Sequence, residues 1–343
     1  MKVLCVIDWP EPGSWLWDYL PSHHDQVDFH ITKPARDLFA GYGKFLSYYP
    51  HYLWSSLKAL SKLKDYDIVV AYHGKNGVPL ALLRSALGQH KPKLVILNFS
   101  IRGPIARFPW ILRFAMSRVD CVTYPSRGEM VHSNGILHMP EDRIRIVPPA
   151  YVPSEYVDRY FSTSTSSGGD GGYIFASGRS FRDYATLMEA VRGLDVKLIV
   201  NTRPFCIEGL DIPGNVHVND MLPMDEYFRL LANAKFVVVP LQDVSHGSGE
   251  SHVGQTMAAG KAMIVTENPS TADLIERGIT GLVVKSGDVQ GMRDAIIYFI
   301  DHPDEVSRMG ENAYRLYQEK YTFSRYAQRV VSLLRELCEV AEK

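Results

Sequence analysis

Short apolar runs that alternate with helical patterns constrain the fold of this chain more than any other feature. Each run in the first half is followed by turn residues and then by an amphipathic stretch, which is typical of buried parallel strands in βα units. These runs are Lys2–Ile7, Ile68–Ala71, Leu94–Leu97 and Cys121–Tyr124, and the pattern closes with a strand and prolines at Arg145–Pro149. The pattern predicts a doubly wound α/β domain over residues 1–152.

The second half repeats this alternation after a segment that has nothing to bury. Ser162–Gly172 consists only of Ser, Thr, Gly and Asp, which predicts a mobile loop or linker. The later runs are Tyr173–Ala176, Lys197–Val200, Val216–Val218, Phe236–Pro240, Ala262–Val265 and Gly281–Val284. A second α/β domain is therefore predicted over residues 153–320, followed by a long helical pattern at Tyr314–Glu342.

Composition limits the classes of function. The length of 343 residues suits two domains of the usual size, roughly 100–200 residues each. A net charge of -1 gives no reason to expect a nucleic-acid partner. Four widely spaced cysteines indicate reduced thiols. The apolar run at the N-terminus ends at Asp8, too early for a signal sequence, so a cytoplasmic location is expected, with peripheral contact at the inner face of a membrane left open.

A glycine-rich stretch, Ser245–Asn268, leads into a predicted helix opening at Gln255–Ala259 and then into the strand that follows. Its glycines include Gly247, Gly249 and Gly254. Backbone N–H groups at a helix N-terminus, together with the helix dipole, favour a phosphate group. The alternative is an ordinary helix–strand connection capped by Gly260.

This stretch resembles the nucleotide-sugar site of GT-B glycosyltransferases of retaining family 4, in which a loop and a Glu precede Ala-Met-Ala-x-Gly-Lys-Pro-Val. The resemblance implies an α/β fold with two Rossmann-like doubly wound parallel-sheet domains facing a cleft. It places the acceptor in residues 1–152 and the nucleotide sugar in residues 153–320. It also implies that a C-terminal helix, residues 321–343, crosses back to the first domain.

Two arginines follow the first strand of the second domain. Arg179 and Arg182 could clamp a diphosphate, because a guanidinium stays charged and can form bidentate hydrogen bonds to phosphate. Alternatively, either one pairs with Asp183 on a surface turn. The family has Gly-Arg here and a Lys shortly afterwards, so the resemblance assigns catalytic roles to Arg179 and to Arg182, which replaces the Lys.

The family's two glutamates, seven residues apart, are both replaced. The first works near the donor sugar and corresponds to Gly247; the second binds the ribose and corresponds to Gln255. The amide oxygen of Gln255 can still accept a hydrogen bond from a hydroxyl, although without charge assistance. Glu250 is the expected substitute at the sugar and the third catalytic candidate, against the alternative of a solvated loop carboxylate.

The resemblance and the strand ends supply the remaining candidate residues. The donor is expected to contact Gly13, Gly178, Asn201, Arg203, Met221, Leu222, Gly247, Ser248, Gly249, Ser251, His252, Val253, Gly254 and Gln255. The acceptor is expected to contact His73, which could equally be a buried structural histidine, and Asn98, which stands where many relatives have a histidine.

The resemblance implies a retaining, metal-independent hexosyltransferase of polysaccharide biosynthesis that needs no cofactor. Its donor would be a nucleoside-diphosphate sugar, with UDP as the expected nucleotide, and its acceptor a saccharide or a lipid-linked saccharide. Two alternatives remain. The altered glutamates suit a non-catalytic GT-B subunit, and a GT-B-shaped epimerase is disfavoured because no acid/base pair is evident.

Two stretches are rich in aromatic and basic residues, Phe39–Lys64 and Arg107–Phe114. Such stretches can lie on an anionic membrane or receive a lipid-linked acceptor. The alternative is an amphipathic helix whose aromatic residues pack inside and whose basic residues are solvated.

Overall fold

The computed structural model describes residues 1–8, 25–32, 44–101, 104–161, 172–244 and 247–339, with the backbone alone for 44–49 and 104. The chain forms two compact units. One consists of Met1–Pro149 together with Tyr326–Lys343, and the other of Ala150–Arg325. The predicted linker Ser162–Gly172, except for its last residue, and the predicted donor contact Gly13 lie outside the described residues.

The first unit contains a six-stranded, wholly parallel sheet with the order β2-β1-β3-β4-β5-β6. Its strands are β1 (Lys2–Ile7), β2 (Gln26–Ile31), β3 (Ile68–Tyr72), β4 (Lys93–Leu97), β5 (Cys121–Tyr124) and β6 (Ile144–Ile146). The chain first runs from β1 to one edge and then returns to build β3 to β6 on the other side. The order therefore reverses between β1 and β3.

Helices that follow these strands are α1 (Lys44–Leu60), α2 (His73–Ala86), α3 (Pro109–Met116) and α4 (Arg127–Leu137). Helix α2 packs closely on the sheet at Gly77, where a β-carbon would lie 2.7 Å from the side chain of Ile96. The C-terminal helix α11 (Phe323–Glu339) contributes its residues from Tyr326 onward to this unit. Lys93 donates to the carbonyl of Leu337, and Arg145 pairs with Glu336.

The second unit contains another six-stranded parallel sheet, with the order β12-β11-β10-β7-β8-β9. Its strands are β7 (Tyr173–Ser177), β8 (Lys197–Thr202), β9 (Val216–Asp220), β10 (Val237–Val239), β11 (Met263–Thr266) and β12 (Gly281–Val284). Here the order reverses between β7 and β10. The helices are α5 (Ser154–Tyr160), α6 (Tyr184–Val191), α7 (Met224–Asn233), α8 (Glu250–Ala258), α9 (Val289–Asp301) and α10 (Pro303–Lys320).

Every apolar run named from the sequence forms a strand, so the prediction of two doubly wound α/β units is confirmed. The strand that the sequence did not reveal is β2. It lies at the edge of its sheet and its side chains are mostly half-buried, so it has no continuous apolar run to mark it.

The continuous helix predicted at Tyr314–Glu342 is wrong, because the chain turns between α10 and α11. Tyr321 is 4% exposed and packs in the core of the second unit, whereas the residues from Tyr326 onward belong to the first. Since one straight helix cannot serve both cores, the turn at Tyr321 ends α10.

All four cysteines are free, as the sequence indicated, and burial raises the pKa of the Cys121 thiol to about 12. Among the helices that the structure describes, none is both long enough and apolar enough to cross a membrane.

The contact between β11 and β12 leads to a stability prediction. A β-carbon on Gly281 would lie 2.4 Å from the carbonyl oxygen of Met263, so Gly281→Ala forces two paired strands apart. We expect the substitution to lower the free energy of unfolding by about 1–3 kcal/mol, as overpacking does. Urea unfolding followed by circular dichroism measures the shift.

The matched control for this substitution is Gly214→Ala. Nothing lies within 4 Å of a β-carbon at Gly214, so its unfolding midpoint should stay close to that of the wild type. Equal midpoints for the two variants would contradict the packing at Gly281.

Candidate functional site

The loops that follow β7 and β10 meet at the carboxyl edge of the second sheet. They are neighbours because the strand order reverses between these two strands, and ligands of open parallel sheets bind at such reversal points. Backbone hydrogen bonds tie the loops together: the N–H of Asp183 donates to Pro240 at 3.1 Å, and that of Gln242 donates to Phe181 at 3.0 Å.

Gly178, directly after β7, provides the surface on which Arg182 lies. Its φ is +124°, and a β-carbon there would lie 2.3 Å from Nη2 of Arg182, so a side chain at this position would displace the guanidinium. The Gly178 carbonyl accepts hydrogen bonds from Tyr184 Oη and Thr202 Oγ1, both at 2.7 Å. These two bonds hold the peptide in place.

Arg182 is a partly buried cation whose partners are neutral oxygens. Its Nε donates to the carbonyl of Ser177 at 3.0 Å, and its Nη1 donates to the carbonyl of Ser180 at 2.8 Å and to Ser248 Oγ at 3.2 Å. No carboxylate among the described residues forms an ion pair with it. Burial lowers the pKa of Arg182, yet arginine titrates so far above neutrality that the group stays charged. The site therefore carries a positive charge that no described carboxylate neutralises.

Arg179 lies on the same loop but differs in its surroundings. Its side chain is exposed and forms no ion pair with any residue that the structure describes, so the alternative in which either arginine pairs with Asp183 is not found. Its carbonyl accepts a hydrogen bond from Cys206 Sγ at 3.3 Å. Asp183 instead caps α6, accepting from the N–H of Thr186 at 3.1 Å.

The glycine-rich residues end the loop that follows β10. Ser248 is 6% exposed, and its hydroxyl donates to the carbonyl of Ser180 at 3.1 Å, which adds a further link between the two loops. Gly249 has φ +85° and a β-carbon there would lie 2.9 Å from Leu241, so only glycine suits the position. Buried Gly247 precedes them.

Helix α8 begins at Glu250, so the predicted helix opening at Gln255 is wrong. The left-handed Gly249 is the N-terminal cap, and Ser251 to Gly254 lie within the helix rather than in a loop. Gly254 is tolerated there because it packs against Tyr151, whose ring would lie 2.1 Å from an added β-carbon. Glu250 occupies the first helical position, where the dipole stabilises a carboxylate.

Two other predicted donor contacts on α8 point into the core. Val253 is fully buried and His252 is 4% exposed. Burial, followed by the charge of Arg182, lowers the pKa of His252 to about 3, so its imidazole is neutral at physiological pH. His252 Nδ1 lies 2.8 Å from Tyr227 Oη, whereas its Nε2 is buried without a hydrogen-bond partner among the described residues.

Gln255 is half-buried one turn further along α8, and its amide oxygen is already engaged. Tyr227 Oη donates to Gln255 Oε1 at 2.6 Å. The oxygen that the sequence analysis assigned to a ribose hydroxyl therefore has a protein donor. Tyr227 lies on α7, and nothing in the sequence around it indicated this contact.

The remaining predicted donor contacts follow β8 and β9. Asn201 is 1% exposed and braces its neighbours: its Oδ1 accepts from the N–H of Leu222 at 2.9 Å and its Nδ2 donates to Ser177 Oγ at 3.3 Å. Arg203 forms an exposed ion pair with Asp220 at 3.1 Å. Met221 and Leu222 are half-buried beside them.

In the first unit the two predicted acceptor residues are in contact. His73 and Asn98 follow the adjacent strands β3 and β4, and both have left-handed backbones, with φ of 63° and 52°. His73 Nδ1 lies 3.2 Å from the Asn98 carbonyl, to which it can donate. Left-handed non-glycine residues are strained, and such strain concentrates at functional sites.

A cluster around Asp8 lies at the reversal point of the first sheet and was not singled out from the sequence. Asp8 follows β1, pairs with Lys75, and accepts from Tyr52 Oη at 2.8 Å and from Asn76 Nδ2 at 3.3 Å. An Asp at a strand end is too common to predict such a cluster. Within the described part of the chain, no group of three or more His, Cys, Asp or Glu side chains could hold a metal ion.

Comparisons with known proteins agree with this geometry. The sequence family described as glycosyl transferase-like matches residues 182–332. No curated protein matches the chain by sequence.

Solved structures match nearly the whole chain. A sucrose-phosphate synthase from Thermosynechococcus elongatus has a TM-score of 0.73 at 15% identity, covering 99% of this chain and 100% of its own. HepE from Anabaena, in complex with UDP, has a TM-score of 0.67 at 14% identity, covering 98% and 100%. A glycosyltransferase from Rickettsia africae ESF-5 has a TM-score of 0.70 at 12% identity, covering 98% of both chains.

At such identities the similarity to solved structures establishes the fold, and the sequence family adds the region that carries Arg182, Ser248 and Gln255. Residues 182–332 therefore match the glycosyl transferase-like family, and the chain as a whole has the GT-B fold.

Proposed function

We propose that the protein is a retaining, metal-independent glycosyltransferase that moves a hexose from a nucleoside-diphosphate sugar, with UDP as the nucleotide, to a saccharide or lipid-linked acceptor. The observation that carries the proposal is Arg182, a cation without a carboxylate partner among the described residues, fixed by three neutral oxygens at the reversal point of the second sheet. HepE, a protein of the same fold, has been solved in complex with UDP, which supports UDP as the nucleotide.

Arg182 would stabilise the charge that develops on the leaving diphosphate. A cation that is already oriented and partly desolvated needs no reorganisation when that charge appears, which makes it effective in catalysis. Arg179, exposed on the same loop, would supply the second positive charge to the diphosphate. The backbone of Gly178 and Ser248 would lie beside the phosphates.

The N-terminus of α8 would hold the sugar end of the donor. Gly247 and Gly249 allow close approach of the backbone, and Glu250 at the first helical position would accept hydrogen bonds from sugar hydroxyls. Gln255 would face the ribose, while the loops at Arg203 and Leu222 would border the base.

The acceptor would meet the first unit at His73 and Asn98, whose contact and strained backbones support a shared role. In a retaining front-face reaction the leaving diphosphate takes part in removing the acceptor proton, so no separate carboxylate base is required.

Exposed aromatic residues of the first unit support contact with the cytoplasmic face of a membrane. Trp54 on α1 is 60% exposed and Trp110 on α3 is 68% exposed. Both helices contact α2, and neither carries an acidic residue. Lys58 lies 5.5 Å from the centre of the Trp54 ring. Apolar rings beside basic side chains suit the surface of an anionic bilayer.

Removal of the buried cation tests the diphosphate site. Arg182→Ala should lower turnover by about tens- to a thousand-fold, since about 2–4 kcal/mol of transition-state stabilisation is lost. Initial rates of UDP release from UDP-glucose and related donors measure this effect, and thermal melting shows whether the variant is folded. Arg192→Ala, which alters an exposed arginine of the same unit, should retain the wild-type rate. Wild-type turnover in Arg182→Ala would remove this residue from the site.

Glu250→Ala separates the sugar from the nucleotide. Because the carboxylate is proposed to meet only sugar hydroxyls, UDP should bind within about threefold of the wild type, while the intact UDP-sugar loses about tenfold or more. Isothermal titration of both ligands measures the difference, with Glu226→Ala on the exposed face of α7 as the control. Equal losses for UDP and donor would show that Glu250 does not face the sugar.

The replaced glutamates favour one alternative, a non-catalytic GT-B subunit, because Gly247 and Gln255 lack the carboxylates of the family. Slow release of UDP from a UDP-sugar without acceptor would exclude this alternative. Binding of UDP without any hydrolysis of UDP-, GDP- or ADP-sugars would favour it.

The membrane surface is tested with vesicles. The double variant Trp54→Gln, Trp110→Gln should bind phosphatidylglycerol-containing vesicles about tenfold or more weakly than the wild type, because two rings no longer enter the interface. Co-sedimentation measures binding. Phe205→Gln, which removes a ring that is 66% exposed in the second unit, serves as the control. The surface is not a membrane contact if the double variant binds as the wild type does.

A further inference from the structure

Three polar side chains form a short chain of hydrogen bonds between α7 and α8. His252 Nδ1 lies 2.8 Å from Tyr227 Oη, which lies 2.6 Å from Gln255 Oε1. Tyr227 is 7% exposed, and burial raises the pKa of its hydroxyl, so the hydroxyl keeps its single proton. That proton can serve only one of the two neighbours.

The single proton permits two arrangements. In the first, Tyr227 donates to the oxygen of Gln255, and His252 carries its proton on Nδ1 and donates to Tyr227. In the second, Tyr227 donates to Nδ1 of His252, and the amide of Gln255 is reversed so that its nitrogen donates to Tyr227. The imidazole proton then lies on Nε2.

Both bond lengths are compatible with the first arrangement. A distance of 2.6 Å between Tyr227 and Gln255 lies within the usual range for O–H···O bonds but below the range for N–H···O bonds, which begins at about 2.7 Å. The distance of 2.8 Å to His252 suits N–H···O. Both contacts therefore fit a chain that runs from His252 through Tyr227 to the oxygen of Gln255.

The surroundings of His252 favour the same direction. Nε2 has no hydrogen-bond partner within the described part of the chain, and Phe175 packs edge-on against the ring at a centroid distance of 6.0 Å. A proton on Nε2 would be a buried N–H without an acceptor, which native proteins rarely contain. The neutral imidazole has one proton, and Nδ1 is the position at which it finds a partner.

We propose that His252 and Tyr227 fix the amide of Gln255 with its NH2 group outward, so that Gln255 donates a hydrogen bond to a ribose oxygen of the nucleotide. This inference rests on the proposed function, which places Gln255 at the ribose. The amide nitrogen forms no hydrogen bond with any described residue, whereas the oxygen is held by Tyr227. Tyr227 is thus a positioning residue, and the polarity of the site is opposite to that of a glutamate, which can only accept.

Nucleotide analogues distinguish a donor from an acceptor at this position. Fluorine in place of a ribose hydroxyl removes the proton but keeps a weak acceptor, whereas hydrogen removes both. An outward NH2 group favours the fluoro analogue over the deoxy analogue, and an outward oxygen repels it. Neither analogue introduces a steric clash, because fluorine and hydrogen are both smaller than the hydroxyl group that they replace.

The experiment titrates UDP and its fluoro and deoxy analogues, substituted at the 2′ or the 3′ position, against the wild type, Gln255→Glu and Tyr227→Phe. The wild type should bind one fluoro analogue at least about threefold more tightly than its deoxy partner. Gln255→Glu should reverse that order. Tyr227→Phe should bring the dissociation constants of the two analogues within about twofold of each other, because the amide can then turn. The control, Tyr173→Phe, removes another buried hydroxyl of the same unit and should keep the wild-type preference.

Nitrogen NMR of the ligand-free protein gives an independent readout. The proton of His252 should lie on Nδ1 in the wild type, and Tyr227→Phe should weaken that preference, an effect that general destabilisation does not produce. A proton on Nε2, or a wild type that prefers the deoxy analogue at both positions, would overturn the proposal. Failure of the wild type to bind UDP would instead contradict the proposed function, since the position of the His252 proton is measured without any nucleotide.

Discussion

The contact between the Arg182 guanidinium and the bare peptide of Gly178 is the interaction on which the proposed donor site depends. Without a β-carbon at Gly178, the guanidinium can lie flat against the backbone that leaves β7. From there its N–H groups reach Ser177 and Ser180 on its own loop and Ser248 on the next. Three neutral oxygens accept hydrogen bonds from the guanidinium but do not neutralise its charge. The positive potential at this edge can therefore attract an anionic ligand.

Strand order explains how residues so distant in sequence share one site. Arg182 and Ser248 are separated by 66 positions, yet they follow strands that are neighbours because the chain reverses direction between β7 and β10. The first sheet shows the same relation at Asp8, Lys75 and Asn76, which meet where β1 and β3 lie side by side. In each unit the strand order brings polar side chains together at one edge of the sheet. The packing of the apolar core does not by itself determine this arrangement.

The sequence predicted the parts of this protein that obey a local rule. Buried strands such as β1 and β5 are continuous apolar runs, and Arg182 and Ser248 were found because glycine and basic residues follow strand ends. The start of α8 was misplaced because Gly254 suggests a loop, and only its packing against Tyr151 makes it acceptable in a helix. Tyr227 was missed because its importance comes from a tertiary contact with Gln255, and nothing near Tyr227 in the sequence reports that contact.

The dependence of Arg182 on Gly178 also bears on how such a site can arise. With a larger residue at position 178, the guanidinium of an arginine at position 182 could not keep this position, because the added β-carbon would overlap it. The glycine, which costs little in a turn that already requires φ of +124°, can come first without harm. An arginine at position 182 can therefore take up this position only in a chain that already has glycine at position 178.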